Sequence, residues 1–204
     1  MKARDLEVFP CELLEIRTFI ERHHYSHNVN GVKISFCFKV MYKDEIVGGV
    51  IYGCLSTTAW KRYSKEEKSV LELRRLVLVD EAERNSESFV VGKTLRYIKN
   101  NSSGIDIVVS YADPLYGHSG TIYRASNFEY LGVGSKDKGF KDPENGKVYH
   151  SRALRTRYKG EYKPFVKKLR EKHEKGLLEE IELPGKHCYV YLFSREKFKK
   201  TINT

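Results

Sequence analysis

The middle of the chain alternates a strand pattern, a helix pattern and a second strand pattern, and that order leaves few ways to fold. Leu71 to Val79 reads as a strand carrying Arg74 and Arg75 inside an otherwise apolar run. Asn85 or Ser86 supplies a helix N-cap, and the helix runs to about Lys99 with Val91, Leu95 and Ile98 on one face. Ile105 to Tyr111 is a second, largely apolar strand that ends at Ala112-Asp113-Pro114. Two strands joined through a helix lie parallel with a right-handed crossover. Ahead of them, Lys33 to Tyr42 and Ile46 to Cys54 flank the tight turn Lys43-Asp44-Glu45 and read as a hairpin. The sheet is therefore mixed, and the fold class is α/β.

The flanking segments fill in around this centre. Cys11 to Arg22, following Pro10, reads as a helix with Leu13, Ile16 and Ile20 on one face. A turn is expected at Asn28-Val29-Asn30-Gly31, and Leu55 to Lys68 is polar and irregular. After Asp113 come a short helix, His118 to Ser126, and a strand, Glu129 to Val133. The composition shifts at about Lys136, which divides the chain into a core of residues 1–135 and a basic extension of residues 136–204. In the extension, Lys147 to Tyr158 reads as a strand or hairpin, Tyr162 to Lys175 as a basic helix, and Leu177 to Leu183 and His187 to Phe193 as strands about a Pro184-Gly185 turn.

Charge separates the two parts further. The chain carries 37 Lys and Arg against 27 Asp and Glu, a net +10; 19 and 10 of these lie in residues 135–204, so nearly all the excess is there. A basic end on a near-neutral body fits a polyanion partner, and tyrosines among the cations suit stacking on bases. Arg152, Arg155, Arg157, Lys167 and Lys168 are the expected nucleic-acid contacts. No apolar run is long enough to span a membrane, and the opening MKARDLEVFP lacks the apolar centre of a signal peptide. Cys11, Cys37, Cys54 and Cys188 are widely spaced, which fits a reducing cytosol better than a disulfide framework. No sequence feature sets an oligomeric state.

Ligands of open α/β sheets bind beyond the carboxyl ends of the parallel strands. At one such end, Arg84, Ser86 and Ser88 surround a helix N-terminus, whose free amides suit a phosphate; alternatively Ser86 only caps the helix. At the other end Asp113 is placed to accept a proton and Tyr123 to donate one, or else they are a loop cap and a core tyrosine. Arg75 needs a partner, for which Glu72 and Asp113 are the options, and it serves either a structural ion pair or substrate positioning. His23, His24 and His27 make a metal site only if folding adds a ligand such as Asp113, and otherwise they are surface or capping groups.

Four strings point further: Glu72-Leu73-Arg74-Arg75-Leu76, Arg84-Asn85-Ser86-Glu87-Ser88, Ser110-Tyr111-Ala112-Asp113 and Gly120-Thr121-Ile122-Tyr123-Arg124-Ala125-Ser126-Asn127-Phe128. Together with His24-Tyr25-Ser26 they resemble the phage Mom DNA-modification proteins, over roughly residues 15 to 135. The resemblance implies a GNAT-like acyltransferase fold with a basic C-terminal extension. It also implies a cytoplasmic enzyme of the infected bacterial host that converts adenine N6 in double-stranded DNA to a methylcarbamoyl-type group and protects phage DNA from restriction. It further implies that Arg75, Ser88, Asp113 and Tyr123 serve activity, that acetyl-CoA or a related acyl donor is used, and that iron is involved, with His24 as the metal candidate. The usual GNAT signature, Arg/Gln-x-x-Gly-x-Gly/Ala, is not kept: counting from Arg84, its glycine positions hold Glu87 and Phe89. Two other readings stand beside this one: a conventional N-acetyltransferase acting on a small amine, protein or RNA, and a non-catalytic DNA-binding protein.

Overall fold

The computed structural model describes residues 1–29, 33–56 and 58–194, so Asn30 and Gly31 of the expected turn lie outside the described residues. In chain order the elements are β1 (Glu7–Pro10), α1 (Leu13–His23), β2 (Ile34–Tyr42), β3 (Glu45–Gly53), β4 (Val70–Leu78), α2 (Ser86–Asn101), β5 (Ile107–Ala112), α3 (Thr121–Ala125) and β6 (Glu129–Val133). They continue as β7 (Asp137–Lys141), β8 (Val148–His150), β9 (Arg157–Tyr158), β10 (Glu161–Tyr162), α4 (Pro164–Glu174), β11 (Glu179–Leu183) and β12 (His187–Leu192). The chain divides into two units, one of residues 1–112, 119–132 and 187–204, the other of residues 113–118 and 133–186.

The first unit is built on a seven-stranded mixed sheet in the order β1-β2-β3-β4-β5-β12-β6. β2 and β3 form the expected hairpin, and β4 and β5 are parallel across α2. Alternation along the strands separates two packed faces. Tyr52, Leu73 and Val108 pack with Val90, Val91, Leu95 and Ile98 of α2. Ile51, one residue from Tyr52, points the other way with Cys37, against Ile16 and Ile20 of α1. Both isoleucines are fully buried, as their i, i+4 spacing requires.

Several boundaries differ from the sequence reading for physical reasons. Pro10 does not start a helix: it ends β1, an edge strand that needs no donor there. α1 starts at Leu13, with the Glu12 N–H donated to the Glu15 carboxylate at 2.9 Å. The segment after Asp113 is a 3-10 turn, Pro114–Tyr116, followed by the short α3. Leu177 to Leu183 and His187 to Phe193 are not partners about Pro184-Gly185. β11 pairs with β7, whereas β12 runs antiparallel to β5 from His187↔Ala112 to Leu192↔Ile107. The division at residue 135 therefore is not the division of the units, because β12 returns to the core sheet.

In the second unit, β11-β7-β8 form a three-stranded sheet and β9-β10 a two-residue ribbon. Lys147 to Tyr158 is not a single strand or hairpin, since a 3-10 turn at Ser151–Arg155 separates β8 from β9. α4 starts at Pro164, where a missing N–H costs nothing. Its Val166 and Leu169 are buried, and buried Asp142 ties the β7–β8 connection to the helix by accepting from Asn145 Nδ2 and Lys172 Nζ.

Gly120 has φ +76°, and a Cβ there would lie 2.3 Å from the ring of Tyr189, whose hydroxyl donates to the Ser119 carbonyl at 2.7 Å. Gly104 also has positive φ, but a Cβ there meets nothing within 4 Å. Urea denaturation should show Gly104→Ala destabilised by about 1 kcal/mol from backbone strain alone, and Gly120→Ala by roughly 1–3 kcal/mol more from overpacking.

Candidate active site

β4 and β5 are paired over only three positions, Val70↔Ile107, Leu71↔Val108 and Glu72↔Val109, although β4 continues to Leu78 and β5 to Ala112. The cause is a bulge. Against β3, Ile51 faces Arg75 and Tyr52 faces Leu73, so Arg74 is an extra residue. A bulge bends its strand and re-aims the side chains beside it. Beyond Glu72 the two parallel strands part, and side chains take over the backbone groups that lose a partner. The Ser110 hydroxyl donates to the Leu73 carbonyl at 3.3 Å. Arg74 Nη1 donates to the Cys54 carbonyl at 2.8 Å and to Glu72 Oε2 at 3.0 Å, and its buried Nε has no partner among the described residues.

Arg75 resolves differently from either expectation. Its Nε and Nη2 donate to the Asn28 carbonyl at 3.0 and 2.9 Å, and Nη1 to the Arg74 carbonyl at 2.7 Å. Burial holds its guanidinium pKa below the ordinary value, with Tyr25 and Glu72 opposing and Arg74 adding to that effect. Glu72 is the ion-pair partner of Arg74, and Asp113 that of Lys186. Arg75 thus clamps the loop after α1.

That loop carries the histidines. His24 is 5% exposed; its Nδ1 is engaged by Ser26, whose N–H lies at 3.1 Å and hydroxyl at 2.8 Å, and its ring rests on Tyr25. His23 stacks on Phe19, and His27 Nδ1 contacts the Glu21 carbonyl. The three rings take different partners, and among the described residues no three His, Cys, Asp or Glu side chains could hold a metal ion together. The expected iron site at His24, with Asp113 as a further ligand, is therefore not formed by these side chains.

Tyr123, on α3, packs between Phe128 and Tyr189 at ring distances of 5.6 and 5.4 Å. The side chain of Ser110, the same serine that reaches β4, opposes the effect of burial on its phenol. Burial raises its pKa above the ordinary 10, with the charge of Glu72 adding to the effect. The phenol is therefore a neutral hydrogen-bond donor throughout the physiological range. Two more hydroxyl pairs lie in the same unit: Tyr52 with Thr94 at 2.7 Å, and Tyr63 with Tyr111 at 3.1 Å and Cys188 at 3.2 Å.

At the start of α2 the cap position belongs to Asn85, left-handed with φ 74°. Ser86 is the first helical residue and does not cap: its hydroxyl is fully buried and has no partner among the described residues. Ser88 donates to the Asn85 carbonyl at 2.9 Å, and Arg84 is exposed. The amides of Ser86 and Phe89 go to the Glu83 and Asn85 carbonyls, while those of Glu87 and Ser88 find no acceptor among the described residues. Open amides and an orphaned hydroxyl fit the polar part of an acyl donor. The Glu87 carboxylate in that turn, where the GNAT signature has glycine, opposes a pyrophosphate.

Asp113 belongs to the second unit. It is 7% exposed, lies 2.7 Å from Lys186 Nζ, and accepts the Leu115 N–H at 3.1 Å. In the same unit Arg152, Arg155, Arg157, Lys167 and Lys168 are all exposed. Arg170 escaped the sequence reading, whereas Tyr162 is one of the tyrosines expected among the cations. Their side chains join Arg157 in a stack, with the Tyr162 ring 4.7 Å from one guanidinium and 4.8 Å from the other. Alternating cations and tyrosines are the only sequence trace of it. Glu72 was legible only as a partner for Arg75, because the bulge that pairs it with Arg74 leaves no mark in composition.

A mixed sheet whose central parallel strands part beside a helix start defines the class of acetyltransferase-like folds. Solved structures agree: an aminoglycoside acetyltransferase AAC(6')-Ib in complex with coenzyme A (TM-score 0.54, 10% identity, 97% of this chain and 99% of that one) and a putative acetyltransferase from Acinetobacter baylyi ADP1 (0.53, 9%, 92% of each). At these identities the likeness is one of fold. The model of the Mom protein family matches residues 5–204, and the chain belongs to that family. It is 28% identical over 208 residues to the methylcarbamoylase mom of Escherichia phage Mu, covering 100% of this chain and 80% of that protein.

Tyr52, Tyr63, Tyr111 and Tyr123 all have phenol pKa values raised above the ordinary 10, chiefly by burial. Folded, they keep protons that the unfolded chain releases, so their contribution is complete below pH 10 and is lost as pH rises above it. Denaturation midpoints should fall steeply above pH 10, and Tyr52→Phe should flatten that fall.

Proposed function

We propose that this chain transfers a methylcarbamoyl-type group to N6 of adenine in DNA, acting inside the infected bacterial cell and protecting phage DNA from restriction. The observation that carries the reading is membership of the Mom family along residues 5–204. It is supported by the hydroxyl-lined parting of β4 and β5, and by the phage Mu relative, whose name gives the reaction.

Acetyl-CoA or a related acyl donor would supply the activated carbon when bound; acetyl-CoA carries no nitrogen, so the nitrogen of the methylcarbamoyl-type group comes from a second, nitrogen-containing reactant or from an acyl donor that already contains it. Ser86, Ser88 and the open amides at the start of α2 hold its polar part, with Arg84 as an exposed cation beside them. Tyr123 donates a hydrogen bond to oxygen or to the departing group. Adenine N6 is a poor nucleophile because its lone pair is delocalised into the ring, so it needs a proton acceptor. Asp113 takes that part, oriented by Lys186 and the Leu115 N–H. Arg75 acts through the loop it holds. Arg152, Arg155, Arg157, Lys167 and Lys168 contact phosphates of double-stranded DNA. Among the described residues, no helix is long and apolar enough to cross a membrane.

The test is mass spectrometry of nucleosides from plasmid DNA of cells expressing the chain. A heavier deoxyadenosine is expected; unaltered nucleosides beside turnover of acetyl-CoA on another amine would favour the conventional acetyltransferase. Asp113→Asn keeps an acceptor for the Leu115 N–H but loses the charge. It should cut modification by about 10²–10⁴-fold with DNA affinity nearly intact. Removing Arg152, Arg155, Lys167 or Lys168 singly should weaken binding on all sequences alike and lower the slope of log K against log salt by about 1 each, as a filter-binding series would show.

A further inference from the structure

Adenine N6 is paired and stacked inside a duplex. Chemistry on it requires the base to leave the stack, and a side chain that fills the vacated space offsets the lost stacking. The turn that follows β5 has the form such a side chain needs. Asp113 accepts the Leu115 N–H on its carboxylate at 3.1 Å, and on its carbonyl the N–H groups of Tyr116 at 3.1 Å and His118 at 3.2 Å. Gly117 N–H closes on the Pro114 carbonyl at 3.0 Å, and its φ of +74° reverses the chain. The proline ring fixes one more dihedral. So braced, the turn presents two adjacent large side chains at the surface, each about half exposed: Leu115 is 40% exposed and Tyr116 50%. The flanking groups suit a phosphate backbone. His118 is exposed, and the side chain of Lys186, on Asp113, is 41% exposed.

We propose that Leu115 and Tyr116 form a wedge that enters the duplex and occupies the space left by the target adenine. Asp113, two residues before Leu115 on the same braced turn, meets the amino group of the extruded base. Rigidity matters here, because a floppy loop would lose on ordering what it gains by stacking. Leu115 is a plain apolar filler, and Tyr116 adds a ring that stacks on the neighbouring base. The inference rests on the DNA-adenine reading, and its test separates the two.

The test compares the full-length chain with its Leu115→Ala/Tyr116→Ala form. Permanganate oxidises thymines that have lost their stacking, so it reports the thymine orphaned opposite an extruded adenine at any sequence. On a plasmid fragment, the unaltered chain should make thymines reactive and the double variant should leave them at background. Modified deoxyadenosine in cells should fall about tenfold or more, with duplex affinity within about threefold, since the phosphate contacts remain. Both side chains lie at the surface, and an unchanged melting temperature confirms the fold. Equal permanganate reactivity with both proteins would overturn the wedge. Equal loss of affinity for single-stranded and duplex DNA would also overturn it, by making the pair a general contact. Absence of modified deoxyadenosine with the unaltered chain would instead sink the DNA-adenine reading.

Discussion

The bulge at Arg74 is the feature on which the rest of the first unit depends. It bends β4 away from β5 after Glu72↔Val109 and opens the sheet between these two parallel strands. Backbone groups released this way must be satisfied elsewhere. The Leu73 carbonyl takes the Ser110 hydroxyl, and the Arg74 and Cys54 carbonyls take guanidinium protons. Two arginines in an apolar strand, which looked costly, are met by the Asn28, Cys54 and Arg74 carbonyls and by the Glu72 carboxylate. β5 tolerates the parting because its other edge is paired with β12 over six positions.

The chemistry that this opening allows comes from hydroxyl groups. Ser110 reaches across to the parted strand, while Tyr52–Thr94 and Tyr63–Tyr111–Cys188 place further buried hydroxyls in the same unit. Burial keeps these phenols protonated, so they donate hydrogen bonds without contributing charge. Charge enters at the helix start and on the second unit. At the start of α2, an orphaned serine hydroxyl and open amides stand beside Glu87, a donor set that differs from the glycine-rich loop of ordinary GNAT acetyltransferases.

The second unit combines the carboxylate proposed for catalysis with all five of the cations proposed to meet DNA. Asp113 is held by Lys186 and by its own turn, and Arg157 and Arg170 are preorganised on Tyr162. A guanidinium already ordered on an aromatic face loses less entropy when it meets a phosphate. The residues proposed for recognition and for proton transfer are thus far apart in sequence but grouped in one unit.

The strand–helix–strand centre, the β2–β3 hairpin and the amphipathic faces of α1 and α2 were legible in the sequence because each is written in local periodicity. So was the break in charge near residue 136. The resemblance to Mom proteins rested on Arg75, Ser86, Ser88, Asp113 and Tyr123, all clustered in short strings. Tertiary structure alone decided the pairings. It sent β12 back to β5 rather than to β11, paired Glu72 with Arg74, gave Asp113 to Lys186 and Arg75 to Asn28, and separated the histidines. The reason is physical: periodicity states which face a residue presents, but a bulge or an ion pair depends on what another segment brings opposite it.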